Sequence, residues 1–271
     1  MADDAIIQVK GLDAGYGEHL VLRDLDVDFA RGRVTAIVGA SGCGKSTLLK
    51  CVVGLLPPLS GTVLVDGHDL NALEDADLAA ALARVGLLFQ QGAMLNSVTV
   101  AENISLPLRE HTDLPPSVIA EMVRLKLELV GLAQAVDLLP SELSGGMRKR
   151  AALARAMALD PALLLCDEPS AGLDPQTAAD LDQLILRLKE TFRMTVVVVT
   201  HELASIDTIA DDIVFLGRGG VMHFAGPLAE AKRCAVPQVV DFFARRTPDA
   251  PSGTRSLLDV LRGSARTGGD P

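Results

Sequence analysis

Short apolar runs rich in β-branched residues alternate along this chain with stretches whose apolar positions recur every three or four residues. Val34-Thr-Ala-Ile-Val38 runs into a glycine-rich turn, and Lys45 to Leu56 then reads as a helix. Ala162-Leu-Leu-Leu-Cys166 and Thr195-Val-Val-Val-Val199 are continuously apolar, the pattern of strands covered on both faces of a parallel sheet. Between them Ala178, Leu181, Leu184, Ile185 and Leu188 mark one face of a helix. Such strand–helix–strand units predict an α/β core with right-handed crossovers. From about Thr99 to Met157 the pattern is mostly helical, with Val118, Ile119, Met122, Val123 and Val130 in one series, bounded by Pro107, Pro115-Pro116 and Pro140. It is expected to be a helical insertion in the core. Near the start, Ile6–Val9 and Leu20–Phe29 read as antiparallel strands around a turn at Gly15-Tyr16-Gly17.

Composition narrows the class. The 271 residues allow one sizeable domain or two small ones, and 49% hydrophobic residues are ample for a core. No apolar run reaches the ~18 residues that suggest a membrane span. The acidic start Met1-Ala-Asp-Asp4 leads straight into strand-like sequence, which predicts no secretory signal. Any role at a membrane would then come through docking onto another subunit. The net charge of −10 argues against a nucleic-acid partner, whose phosphates need a basic surface. Cys43, Cys51, Cys166 and Cys234 lack metal-ligand spacing and read as reduced thiols of a cytosolic protein. The chain has no Trp and one Tyr, which gives Tyr16 unusual weight.

Gly39-Ala40-Ser41-Gly42-Cys43-Gly44-Lys45-Ser46-Thr47 fits the phosphate-loop pattern G-x-x-x-x-G-K-[ST], set between an apolar strand and a helix. The glycines let the backbone wrap an anion with its N–H groups, and the helix start adds a positive dipole end. Lys45 supplies a charge for the β- and γ-phosphates, and the Ser46 hydroxyl suits Mg²⁺. This motif alone predicts a nucleotide. Leu163-Leu-Leu-Cys-Asp167-Glu168 is an apolar strand ending in two carboxylates at the sheet edge where ligands bind. Asp167 is a candidate Mg²⁺ ligand, and Glu168 a candidate to polarise the attacking water. His201 follows the four-valine strand, where a polarisable group could meet the γ-phosphate. Leu143-Ser144-Gly145-Gly146-Met147 places a capping serine and two glycines before a helix carrying Arg148, Lys149, Arg150 and Arg155. A second anion-binding helix start, remote in sequence from the first, suggests that it serves a partner molecule's nucleotide.

With these motifs in order, residues 6 to 230 resemble the nucleotide-binding subunits of ABC transporters. The resemblance implies an α/β fold: a P-loop NTPase (RecA-like) core with an N-terminal antiparallel β-subdomain and an inserted α-helical subdomain. It implies that Tyr16, 23 residues before the phosphate loop, stacks on adenine. Gln90, after Leu87-Leu-Phe89, would sense Mg²⁺ and the membrane partner, and Ala171-Gly-Leu-Asp174 would speak across a dimer. The implied assembly is a head-to-tail dimer in which Ser144, Gly145 and Gly146 of one copy close on ATP held by the other. Met147 departs from the usual glutamine of the signature. Leu-Ser-Gly-Gly-Met followed by Arg-Lys-Arg, with Gln91-Gly-Ala-Met-Leu95 and Pro107-Leu-Arg-Glu-His-Thr112, is similar to the ATPases that work with MCE proteins in lipid transport.

The expected division is an ATPase domain over 1–245, with its core at about 1–98 and 158–245 and a helical subdomain at about 99–157, then a flexible tail over 246–271. The implied activity is ATP hydrolysis coupled to transport of phospholipid or another hydrophobic molecule. A transmembrane permease and an MCE substrate-binding protein would be its partners at the cytoplasmic face of the inner membrane. An importer ATPase for a small polar solute, or an ABC ATPase outside transport, is the alternative. A DNA- or ribosome-directed ABC protein would usually carry a long coiled coil or two cassettes, and a small-molecule kinase leaves Ser144 to Met147 unexplained.

Overall fold

The computed structural model describes residues 5–90 and 92–245; the expected tail at 246–271 and the acidic start lie outside them. Two sheets organise the chain. In the first, β1 (Ala5–Tyr16) pairs antiparallel with β2 (His19–Ala30) and β4 (Ser60–Val65), and β5 (His68–Asp69) extends the edge. The second runs in the order β10 (Met222–Pro227), β9 (Asp212–Leu216), β3 (Val34–Gly39), β8 (Thr195–Val199), β7 (Leu163–Asp167) and β6 (Val85–Leu88). Its strands are parallel except β10, which pairs antiparallel with β9. Every residue of β3 and β8 is buried, which is why neither alternates polar with apolar positions.

The strand pleat divides the core. Leu163, Leu165, Val197 and Val199 face the antiparallel sheet and α1 (Lys45–Val52), packing with Ile7, Phe29 and Leu48. Leu164, Cys166, Val196 and Val198 point the other way, towards Leu181 and Ile185 of α6 (Pro175–Phe192). The same cluster takes in Ile104, Val123 and Leu153 from α3 (Val100–His111), α4 (Pro116–Leu129) and α5 (Gly145–Ala156), the helices between β6 and β7. α2 (Asp75–Leu82) precedes β6, α7 (Leu203–Ile209) follows β8, and α8 (Leu228–Ala231) and α9 (Pro237–Phe243) follow β10. Among the described residues no helix is long and apolar enough to cross a membrane.

Several boundaries differ from the sequence pattern. β1 runs through Gly15 and Tyr16, and the Tyr16–His19 pairing puts the turn at Gly17-Glu18. Irregular register between Val9 and Ala14 masks the alternation that would have extended the predicted strand. α1 stops at Val52 instead of Leu56, because the N–H groups of Leu55 and Leu56 turn back to the Lys50 carbonyl. Pro107 lies inside α3, and Val118 is exposed because α4 buries the face carrying Ile119, Val123 and Leu127.

The entry to α3 is tied down by polar groups. Thr99 and Glu102 form a reciprocal capping box. Asn103, fully buried, accepts from the Leu95 N–H and donates to the carbonyls of Leu95, Val98 and Thr99. Asn103→Ala would strip those buried partners at once, so we expect it to destabilise the chain by about 2–3 kcal/mol. Urea denaturation checks this; a loss within the ~0.5 kcal/mol typical of surface changes would contradict it.

Candidate functional site

The phosphate loop occupies the turn from β3 into α1 and is pressed between neighbours. At Gly39 a Cβ would lie 2.0 Å from the Leu216 carbonyl oxygen of β9. Gly44, at the helix cap with φ 105°, holds a backbone conformation that residues with a Cβ rarely adopt, and the Leu22 side chain would stand 2.5 Å from a Cβ there. Only a chain lacking Cβ atoms at both points can hug its neighbours and still present its N–H groups to an anion. Lys45 folds over the loop, its Nζ donating to the carbonyls of Gly39 (3.0 Å) and Ala40 (3.1 Å). The Cys43 side chain is buried outside the cleft lining, which pushes its thiol pKa up, and its N–H is donated to the Ala40 carbonyl.

The carboxylates stand opposite, at the ends of parallel strands. Ser46 Oγ donates to Asp167 Oδ1 at 3.3 Å. Burial raises the Asp167 pKa, with that hydrogen bond opposing. Glu168, the next residue, sits in the left-handed region at φ 49°, which costs an ordinary residue about 1–2 kcal/mol. Its N–H is held by the Val199 carbonyl of β8 at 2.9 Å, and its carboxylate lies 2.8 Å from His201 Nδ1. β8 lies between β3 and β7, so His201 emerges between the phosphate loop and the acids.

One cleft of about 1210 Å³ collects Gly39, Ser41, Gly42, Gly44, Lys45, Ser46 and Thr47 with Gln90, Asp167, Glu168 and His201. The loop and Lys45 can bind phosphates. Ser46, Asp167 and Gln90 offer oxygen donors suited to a hard cation, and Glu168 can accept a proton or orient water. Among the described residues no group of three His, Cys, Asp or Glu could hold a metal, so a cation here would complete its shell with ligand oxygens and water. The cleft continues along Arg218, His223, Gln238 and Asp241, which no local motif marks.

The other predicted residues fall elsewhere. Ser144 caps α5, its Oγ accepting from the Met147 N–H at 3.3 Å, and it is exposed together with Gly145. Gly146 lies against Thr177, whose Cγ2 would be 2.6 Å from a Cβ there, and Gly145 lies beside Leu173. The glycine pair and the 171–174 loop therefore form one surface. Asp174, the last residue of the loop expected to speak across a dimer and a candidate for the nucleotide there, uses both carboxylate oxygens within its own protomer to cap α6 through Gln176 and Thr177. Hydrogen bonds from Thr177 hold that carboxyl below the usual range. Tyr16 is 48% exposed, its hydroxyl accepting from Lys50 Nζ at 3.1 Å. None of Tyr16, Ser144, Gly145, Gly146 and Asp174 lines the cleft of its own chain. Met147 packs against the α3–α5 cluster, so an apolar residue fits there. Lys149, which the sequence shows only as one basic residue among four, is buried against the cleft.

A family model described as ABC transporter matches residues 22–171. The chain is 45% identical over 206 residues to the intermembrane phospholipid transport system ATP-binding protein MlaF of Haemophilus influenzae, covering 76% of this chain and 78% of that protein. It is 42% identical over 221 residues to the probable ribonucleotide transport ATP-binding protein mkl of Mycobacterium leprae, covering 82% of this chain but only 63% of that relative. Among solved structures, a dimeric ATP-binding cassette in a post-hydrolysis state with ADP and Pi matches with a TM-score of 0.74. That match has 30% identity and covers 82% of this chain and 98% of the other.

Proposed function

The chain belongs to the ABC transporter family of ATPases, and from that premise we propose that it energises lipid movement across the cell envelope as one half of a head-to-tail dimer. The observation carrying the dimer is the separation of its parts. The phosphate loop, Asp167, Glu168 and His201 share one cleft, whereas Ser144 and Gly145 lie exposed outside it, with Gly146 half-buried beside them. A second copy brings its own Ser144 surface to the open side of the cleft, and the solved dimeric cassette supports that arrangement. In it, Tyr16 stacks on the adenine ring and the 171–174 loop faces the partner.

Lys45 and the loop N–H groups hold the triphosphate. Glu168, oriented by His201, takes up the proton of the attacking water, and His201 steadies the γ-phosphate oxygens. Mg²⁺ fits the donor set of Ser46, Asp167 and Gln90, and when bound it neutralises charge on the β- and γ-phosphates. The domain division proposed is a core at about 1–98 and 158–245 around a helical subdomain at about 99–157. The likeness to MlaF supports a place at the cytoplasmic face of the inner membrane, docked on a permease.

Phospholipid or a related hydrophobic cargo, with an MCE-type partner, is supported by the likeness to MlaF. The mycobacterial relative, named for ribonucleotide transport, favours a polar cargo instead. Purification of the native complex decides between them. Co-purification of an MCE protein and bound phospholipid is expected. A permease for a polar solute with no lipid would overturn the cargo while leaving the ATPase reading intact.

A further inference from the structure

α5 is capped by Ser144, the surface that the dimer reading turns towards the partner's ATP, and its second turn lies against Gln90 and Glu168 of the chain's own site. Lys149, in its second turn, is buried. Its ammonium donates to two main-chain carbonyls, those of Gln90 and Glu168, the second at 3.3 Å. These residues lie just beyond the carboxyl ends of the adjacent strands β6 and β7. A buried ammonium is costly where an apolar side chain of similar length would pack equally well. Burial does lower its pKa, while Cys166, Glu168 and Asp167 oppose that shift.

The same helix holds the Gln90 loop at further points. Arg155 donates to the carbonyls of Ala93 (2.7 Å) and Gly92 (3.3 Å), and Gly92 lies so close to α5 that its Cβ would be 3.2 Å from that of Ala152. The helix thus holds Gln90, Gly92 and Ala93 at separate points, and Lys149 extends that hold to Glu168. Glu168 has the left-handed backbone described above, so a hydrogen bond to its carbonyl bears directly on where its carboxylate points.

We propose that Lys149 is a positioning residue that links the two ATP sites of the dimer. When Ser144 of one protomer closes on its partner's ATP, α5 shifts, and Lys149 carries that shift to Glu168 and Gln90 of its own site. This rests on the dimer reading. Each site then sets the carboxylate geometry of the other, and ATP turnover is cooperative.

The test uses the full chain with Lys149→Met, Lys149→Arg and Arg155→Met. In the nucleotide-free protein, amide hydrogen exchange at residue 168 and at 90–93 is expected to quicken in Lys149→Met and to be restored in Lys149→Arg. Arg155→Met should quicken 92–93 alone. With ATP, Lys149→Met should bind nucleotide within about twofold of the parent. Its kcat should fall on the order of 10- to 100-fold, and its cooperativity should vanish (Hill coefficient about 1). Unchanged exchange at residue 168, or a parental Hill coefficient, would overturn the proposal. Should Lys149→Met fail to fold, the Arg155→Met and Lys149→Arg proteins still decide: quickened exchange at residue 168 in Arg155→Met would remove Lys149 as the link. A parent chain that never dimerises with ATP would defeat the dimer reading instead, while exchange still reports on the Lys149–Glu168 contact.

Discussion

Glu168→Gln is expected to bind ATP as the parent does, to lose about 10²- to 10⁴-fold in turnover, and to accumulate as an ATP-bound dimer. The carboxylate lines the cleft with the phosphate loop and pairs with His201, not with the loop, so removing its charge leaves the phosphate-binding groups in place. Glutamine has the same shape, keeps a hydrogen-bonding partner for His201 at the 2.8 Å contact, and disturbs the left-handed backbone no further. What it cannot do is accept a proton from water. Phosphate release measures the loss, and size-exclusion chromatography with ATP measures the trapped dimer. Undiminished turnover would remove Glu168 from the catalytic role.

Ser144→Asp separates the two halves of the composite site with as large an effect. Aspartate is as good a helix cap as serine and is favoured by the α5 dipole, so stability should be unchanged. The new charge, however, stands on the exposed surface that the dimer turns towards the partner's phosphates. Repulsion there should lower turnover by about 10²-fold or more. Binding of a fluorescent ATP analogue to the isolated protomer should persist, because Ser144 does not line its own cleft. Parental turnover in Ser144→Asp would mean that a single chain completes its own site.

Neither variant could have been chosen without the motifs, and neither could have been interpreted without the cleft. The phosphate loop, the acid pair and Ser144 to Met147 are runs of consecutive residues, so covalent continuity carries their chemistry whatever the rest of the chain does. The same holds for β8 and α6, where four valines and a regular apolar stripe leave little choice of element. The predicted strand at Ile6–Val9 fell short because bulges break its alternation, and α1 was overextended because Leu55 and Leu56 continue an apolar pattern after the backbone has turned. Asp174 shows what sequence leaves out for a related reason: a carboxylate near a dimer surface looks free in sequence, yet within the protomer three hydrogen bonds join it to its own helix.

The sequence by itself determined the chemistry: a nucleotide loop, two acids at a strand end, and a second anion-binding helix start that pointed to a partner copy. Tertiary structure decided which of these meet. The order β3-β8-β7 puts His201 beside Glu168 and leaves Ser144 outside the cleft, and packing of α5 on the Gln90 loop turns Lys149 from one basic residue among four into a buried link. The physical reason is range. A motif's geometry follows from bonds and torsions over a few residues, whereas a contact such as Lys149 to Glu168 exists only once sheet order and helix packing have brought separate segments together.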